Sequence, residues 1–407
     1  MMVSWAAIIF LVTYVAIALG GVPGLALDRT GVAMLGAIAM LAAGALSFDQ
    51  ALQALDVPTL LLLYALMVVS AQLRLGGFYT WVTLSIARWV DRPRFFLGLV
   101  MAVSALLSAL LANDIICLAF TPVLILSLHR ASLNPLPFLL GLAAASNVGS
   151  AATLIGNPQN MLIGQLGRLD FAEFFIWCGP PSLLALIGAY LLICCLFRNL
   201  KAEGDATPMQ QAVWPALNRW QTAKGLLATA VIVALFFTPI PRELSAIGTA
   251  GVLLCSRRMA TRSLLGLVDW HLITLFCGLF VVIGGIQLAG IPAKTVELLL
   301  QSGIDLHQLA VLAGASAALS NVVSNVPATM LLVQFLDPAV PAQWYTLALS
   351  STFAGNLLVL GSIANLIVIE QAKAWGVSVS FWQHARAGIP ITLLSLLILL
   401  GWIWAWR

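Results

Sequence analysis

Residues 146–164 read SNVGSAATLIGNPQNMLIG, and this stretch decides the fold. It lies inside a longer segment, roughly 138–167, that is otherwise apolar enough to cross a bilayer. Glycine lowers helix propensity, and Pro158 lacks a backbone donor and crowds the residues before it. We therefore predict that the helix breaks near Gly156. Because unpaired backbone groups are costly in hydrocarbon, such a break persists only where it lines a polar cavity or holds a ligand.

The same pattern recurs late in the chain, where residues 355–367 read GNLLVLGSIANLI. Gly361 follows Gly156 by 205 residues, and Asn365 follows Asn160 by the same 205. Interrupted hydrophobic segments at matching places in two halves of a chain indicate the binding site of a secondary transporter. A lone asparagine or glycine in a membrane helix more often serves packing, so the matched spacing carries the argument.

A second pair of motifs is equally clear. LLANDIICLAFTPV surrounds Asn113, and VVSNVPATMLLV surrounds Asn325, 212 residues later. The apolar runs on either side of Asn113 are each short for a full crossing. We predict a re-entrant hairpin at about 95–128 with its tip at Asn113, and an equivalent hairpin at about 306–336 with its tip at Ser324 and Asn325.

The composition is that of a membrane protein. Of the 407 residues, 61% are hydrophobic and only 8% are charged, whereas soluble domains carry about 25% charged residues. The net charge of +4 is too small and too dispersed to indicate a nucleic-acid partner. The first apolar segment has no basic region before it, so we predict a retained span and no cleaved signal peptide. The cysteines form no CxxC pair and the histidines lack ligand spacing, so no cofactor or redox role is predicted from them.

We predict an all-α polytopic membrane protein made of two inverted repeats of five transmembrane helices, each with a re-entrant hairpin and a broken helix. The first repeat takes residues 1–197, with its broken helix at about 138–167. A cytoplasmic connection takes 198–224, and the second repeat takes 225–407, with its broken helix at about 343–372. The other predicted crossings fall at about 3–20, 30–46, 58–75, 177–197, 225–240, 243–258, 269–287 and 389–406, with interfacial helices at about 78–90 and 292–302.

Two acids and the basic residues test this organisation. Asp56 and Asp269 open equivalent helices 213 residues apart, which predicts an N-cap at each. Five crossings is an odd number, so the second repeat must be inverted relative to the first. With both termini outside, 15 of the 19 basic residues fall in inner loops, as the positive-inside rule requires. We therefore expect a multi-pass protein of the cytoplasmic (inner) membrane.

The breaks and tips supply the candidate site. The amide ends of half-helices attract an anion, while freed carbonyls and amide oxygens hold a small cation such as sodium. The candidate substrate- and ion-binding residues are Asn113, Asp114, Gly156, Asn157, Pro158, Asn160, Ser324, Asn325, Thr329, Gly361, Ser362 and Asn365. Sodium is expected at the four tip and break asparagines, Asn113, Asn160, Asn325 and Asn365; no cofactor is expected beyond sodium or a proton as coupling ion.

Asp114 is the acid placed at a hairpin tip, and Val326 stands at the equivalent place in the second half. A carboxylate at membrane depth marks an ion or proton path unless it only caps the following helix, and both interpretations stay open. Glu370 is interpreted as an interfacial acid. For Gln72 and Gln287, which correspond in the repeat, packing and pore lining are equally open.

At these motifs the chain resembles the ion transporter superfamily, which groups arsenite permeases, NhaD-type sodium/proton antiporters and sodium-coupled anion carriers. ANDIICLAFTPV resembles the Asn-Asp hairpin of the permease and antiporter branch, SNVVSNVPATMLL resembles the second hairpin, and GNPQN resembles the unwound segment of YbiR-like anion transporters. The resemblance implies a homodimer whose transport part moves as an elevator. The Ser-Asn-Thr signatures of sodium sites in carboxylate carriers are incomplete here.

We therefore expect a secondary active transporter of a small inorganic anion or oxyanion, with no nucleic-acid partner. A sodium/proton antiporter is the alternative, and a dicarboxylate carrier or a membrane-embedded enzyme is disfavoured. The sequence contains no HExxH motif, GxSxG motif or paired acids that would indicate an enzyme.

Overall fold

The computed structural model describes residues 2–22, 24–201 and 216–406. In these ranges the regular elements are helical, and their order repeats: the ten helices of the first half are followed by ten counterparts. The first ten are α1 (Met2–Ala18), α2 (Arg29–Ala42), α3 (Phe48–Ala54), α4 (Val57–Leu75), α5 (Phe78–Ala87), α6 (Pro93–Leu110), α7 (Asn113–Arg130), α8 (Pro135–Ser150), α9 (Pro158–Leu166) and α10 (Phe171–Leu196).

Each helix of the second half corresponds to the helix numbered ten lower in the first. These are α11 (Arg219–Leu235), α12 (Arg242–Leu254), α13 (Thr261–Leu265), α14 (Trp270–Leu288), α15 (Ile291–Gln301), α16 (Leu309–Val323), α17 (Asn325–Leu332), α18 (Pro341–Ala354), α19 (Ile363–Ala374) and α20 (Phe381–Ala405). Short 3-10 turns at Val333–Phe335 and Val359–Gly361 follow α17 and α18. The chain is therefore an all-α polytopic membrane protein; the inversion of its second half stays a prediction.

The two halves interleave. In one group of helices α2 packs on α14 and α4 packs on α12, so each repeat completes the other. In a second group α8 packs on α6, α7 and α10, and α18 packs on α16, α17 and α20. Helices α7 and α19, α17 and α9, and α10 and α20 join the two repeats within this second group. The breaks and hairpin tips all belong to the second group.

Local capping explains where helices begin. Asp56 accepts from the amide of Thr59 at 2.8 Å and Asp269 from that of Leu272 at 2.9 Å, so both predicted N-caps are confirmed. Two helices start earlier than the apolar runs predicted. Asp170 caps α10, and Ser380 caps α20 through a reciprocal capping box, so polar residues join the first turns of both helices.

Other boundaries also differ from the predictions. Asn218 caps α11, so the end of the predicted 198–224 connection is helical from Arg219; its residues 202–215 lie outside the described ranges. Helices α3 and α13 were not predicted. The hairpin arms α6 and α7 have 18 residues each, because α7 continues past the apolar run to Arg130.

Six of the described helices are long and apolar enough to cross a membrane: α4, α6, α7, α10, α14 and α20. Large hydrophobic side chains lie exposed along α10 and α20, among them Ile176, Leu183, Leu397 and Trp404. Such surfaces suit contact with lipid tails. The re-entrant placement of α6 and α7 stays a prediction.

Candidate functional site: the helix breaks and the asparagine cluster

Both predicted helix breaks are present. Helix α8 ends at Ser150 and α9 begins at Pro158; Asn157 caps α9 by accepting from the amide of Asn160 at 2.8 Å. Helix α18 ends at Ala354, and α19 begins after the turn that ends at Gly361. Proline fits the first helical position because the amide it lacks would have no partner there.

Asn160 and Asn365 satisfy the freed carbonyls of their own breaks. The Asn160 amide group donates to the carbonyls of Ser150 at 3.3 Å and Thr153 at 2.9 Å. The Asn365 amide group donates to the carbonyls of Gly355 at 2.7 Å and Leu358 at 3.2 Å. These pairs are all related by the 205-residue offset, so the same hydrogen bonds form twice. Each asparagine thus replaces the backbone donors that its break removes.

The two breaks are joined by Asn147, a fully buried residue of α8. Its Nδ2 donates to Oδ1 of Asn356 at 2.9 Å and to Oδ1 of Asn365 at 3.1 Å. Its Oδ1 accepts from the Ser362 hydroxyl at 2.9 Å and from Nδ2 of Asn113 at 3.3 Å. One side chain of the first repeat therefore connects the first hairpin tip to the break of the second repeat.

The first hairpin tip lies against the first break. The backbone amide of Asn113 donates to the carbonyl of Gly156 at 3.1 Å, and the Ser146 hydroxyl donates to the carbonyl of Asn113 at 3.1 Å. Gly156 is required at this contact, because a Cβ there would lie 2.3 Å from the Ser150 carbonyl oxygen and 2.8 Å from that of Ser108. Tip and break form one rigid backbone contact.

The second hairpin tip is less connected. Ser324 holds φ 74° and ψ 160°, a conformation that an L-residue rarely adopts. Asn325 is buried, and its Oδ1 accepts from the amide of Val326 at 3.0 Å. The buried Thr329 hydroxyl has no hydrogen-bond partner in the described residues. Helix α17 packs on α9 and α18, but no hydrogen bond joins Asn325 to the other three predicted asparagines in the part of the chain described.

Asp114 does not cap α7. Ala112 precedes that helix, its N-terminus has no side-chain cap, and Asp114 lies in the first turn. It lines a cavity of about 90 Å³ together with Arg74 of α4 and Asp269, which caps α14. The cavity lies between the hairpin tip and the other group of helices, and no ion pair joins these three described side chains. Asp114 thus faces an internal space that other charged groups also line.

Two larger cavities are related by the repeat. One of about 370 Å³ is lined by Arg29, Asp269 and Glu370 among others, and one of about 770 Å³ by residues that include Arg242 and Gln165. Arg29 and Arg242 begin equivalent helices, and Gln165 corresponds to Glu370. In the larger cavity the Arg242 guanidinium donates to the carbonyl of Gly164 at 2.8 Å, which ties α12 to the C-terminal turn of α9.

The glutamines take different roles. Nδ-type donors are absent from Gln72, but its side-chain Nε2 donates to the backbone and side-chain oxygens of Gln221 at 3.0 and 2.9 Å, so Gln72 packs α4 on α11. Gln287 donates to Gln334 at an exposed position. Packing is therefore the role of Gln72.

Sequence comparison assigns the family. The citrate transporter (CitMHS) family model matches residues 8–354. The chain belongs to this family. Its relatives include a 46 kDa membrane protein of Mycobacterium leprae, 30% identical over 98% of this chain and 97% of the relative. The silicon efflux transporter LSI3 of Oryza sativa is 29% identical over 91% of each chain, and the inner membrane protein YbiR of Escherichia coli is 30% identical over 85% of this chain and 87% of the relative.

This citrate transporter family member is therefore a multi-pass membrane transporter and not an enzyme. The sequence prediction of an ion transporter superfamily member close to YbiR is confirmed. Sequence reasoning missed three buried residues of the cluster, Ser146, Asn147 and Asn356. All three stand inside the two quoted motifs, and the available signal was their polarity in segments that are otherwise apolar.

Proposed function

We propose that the protein is a secondary active transporter that moves a small inorganic anion or oxyanion across the cytoplasmic membrane. The observation that carries this proposal is the buried cluster around Asn147, where one hairpin tip and both helix breaks present amide groups. Polar groups at such a depth in a membrane protein are retained when they serve a transported solute.

The makeup of the cluster supports a small solute of low charge. The side chains that hydrogen-bond to Asn147 are three asparagines and one serine, with no lysine or arginine among them. A multiply charged carboxylate such as citrate would need cationic partners or a site with more dipoles. The silicon efflux transporter among the relatives is consistent with this choice of substrate class.

Alternating access of the elevator type is part of the proposal. The breaks and tips pack within one group of helices, while α2, α4, α12 and α14 pack in another. The cavity that Asp114 lines lies between the two groups. We propose that the first group moves against the second, that a cation or proton is coupled to this motion, and that the protein forms a homodimer with both termini outside.

The test is uptake into proteoliposomes. We expect saturable uptake of a small oxyanion from a panel of arsenite, silicate, phosphate, sulfate and citrate, driven by a sodium or proton gradient. Absence of uptake for every member of the panel would overturn the proposed substrate class. Cysteine labelling from each side of the membrane would check the orientation, and light scattering of the purified protein would check the dimer.

For Asp114→Asn we predict loss of coupled transport while the protein still inserts, because this carboxylate lines the cavity between the two groups of helices. Asp49→Asn is the matched control, since Asp49 lies in the first turn of the short helix α3. Unimpaired gradient-driven uptake by Asp114→Asn would remove this residue from the mechanism.

A sodium/proton antiporter is the second candidate, and the unpaired Asp114 favours it, because a carboxylate can bind a cation and a proton in turn. Everted vesicles distinguish the two functions. Proton movement that depends on sodium and needs no anion would establish the antiporter, whereas proton movement that requires the oxyanion supports the proposed carrier.

A further inference from the structure

The side-chain oxygens of the four predicted asparagines differ between the two halves. In the second half Asn365 Oδ1 accepts from Asn147 Nδ2 at 3.1 Å, and Asn325 Oδ1 accepts from the Val326 amide at 3.0 Å. In the first half Asn160 Oδ1 and Asn113 Oδ1 have no hydrogen-bond partner, although both residues are at least 97% buried. The repeat-related oxygens are satisfied in one half and unsatisfied in the other.

A single substitution within the repeat explains this difference at the breaks. The residue that corresponds to Asn147 in the second half is Thr352, 205 positions later. Asn147 reaches across to the Asn365 oxygen, whereas Thr352 has a shorter side chain and no amide donor. The Thr352 hydroxyl instead accepts from Asn157 at 3.4 Å and from Gln159 at 3.3 Å. The Asn160 oxygen is therefore left without the donor that Asn365 has.

The amide orientations place both unpaired oxygens as acceptors. Asn160 Nδ2 is held by the carbonyls of Ser150 and Thr153, so its Oδ1 must point away from them. The Asn113 Nδ2 is held by the oxygen of Asn147, and the Asn113 backbone is bonded to Gly156. Two buried acceptors thus lie on a tip and a break that are in direct contact. Oxygen acceptors of this kind are the ligands that small hard cations prefer.

Charge favours the same half. Asp114 follows Asn113 directly, and the second half has Val326 at this place. The partial positive charge of the half-helix amides opposes a bound cation there, and the nearby carboxylate and the carbonyl end of α8 offset it. One carboxylate is matched by one monovalent cation.

We propose that the protein binds a single monovalent alkali cation in its first half, with Asn113 Oδ1 and Asn160 Oδ1 as ligands, and that the Asn147 amide takes the cation's place in the second half. This assignment rests on the proposed transport function, for which it supplies the coupling ion and its number. Asn365 and Asn325 are then not cation ligands.

The test is thermal unfolding of the purified protein at rising NaCl, with choline chloride at equal ionic strength as reference. We expect sodium to raise the Tm with a saturable dependence and a Hill coefficient of about 1, since only the folded state binds. Thr352→Asn supplies the missing amide donor to Asn160, so the sodium-dependent rise should disappear. Asn160→Ala should abolish it as well, should Thr352→Asn fail to insert.

The reverse change gives the opposite result. Asn147→Thr removes the amide from Asn365 and leaves its oxygen open to a second cation, so the Hill coefficient should rise towards about 2. Ser395→Ala is the control, because the buried Ser395 hydroxyl bonds only within α20 and should leave the sodium dependence unchanged.

The outcomes separate this inference from the proposed function. A wild-type Tm that responds equally to sodium and choline, or a sodium response that persists in Asn160→Ala, would overturn the cation site. Oxyanion uptake that persists in choline would then leave the transporter proposal intact. Sodium binding without uptake of any oxyanion would support the site and refute the proposed substrate.

Discussion

Removal of Asn147 gives the most direct measure of how the two halves are held together. Asn147→Ala deletes four buried hydrogen bonds, to Asn113, Asn356, Ser362 and Asn365, with lengths between 2.9 and 3.3 Å. Interhelical hydrogen bonds in membrane proteins average about 0.6 kcal/mol each. Four of them give a loss of about 2.5 kcal/mol in the free energy of unfolding.

The cavity left by the side chain and the buried groups without partners increase this loss. A buried donor or acceptor left unpaired costs about 1–3 kcal/mol, although a water that enters the new cavity recovers part of it. We therefore expect Asn147→Ala to lower the free energy of unfolding by about 2–4 kcal/mol. Because the lost contacts span both breaks, substrate uptake should fall with it.

The assay is reversible unfolding in mixed micelles by titration with a denaturing detergent, followed by circular dichroism. Ser395→Ala again serves as the control, since it removes one bond within a helix and should cost less than about 1 kcal/mol. A cycle with Asn365→Ala should give a coupling energy of about 0.6 kcal/mol. A loss below about 1 kcal/mol for Asn147→Ala would refute the view that this residue joins the repeats.

Two further predictions concern the backbone break and a helix cap. Gly156→Ala should destabilise the protein by about 1–3 kcal/mol and abolish uptake, because its Cβ would lie 2.3 Å from the Ser150 carbonyl oxygen; Gly251→Ala, which meets no atom within 4 Å, should be tolerated in the same unfolding and uptake assays. Asp269→Ala should cost about 1 kcal/mol of unfolding free energy through the lost cap on Leu272, whereas Asp269→Asn should stay within about 0.5 kcal/mol of the wild type; equal losses in the two variants would contradict a capping role.

The sequence predicted most of the helices because their signals are local. Glycine and proline disrupt a helix wherever they stand, so Gly156 and Pro158 marked the first break without any tertiary information. The caps at Asp56 and Asp269 were equally legible. The early start of α20 had a signal too, since Ser380 and Gln383 have the spacing of a capping box, but the prediction followed the apolar run instead.

Taken alone, the sequence determined that the chain is an all-helical membrane protein, that its helices are interrupted, and that its motifs occur twice. Each of these depends on residue type and spacing within one segment. Only the tertiary structure decided which buried oxygen has a donor. Asn147 bonds to residues 209 and 218 positions later, and whether it reaches them depends on how far α8 is shifted and rotated against the second break. Helix propensity and hydrophobic period carry no information about that shift, because it is set by the packing of all the helices around it.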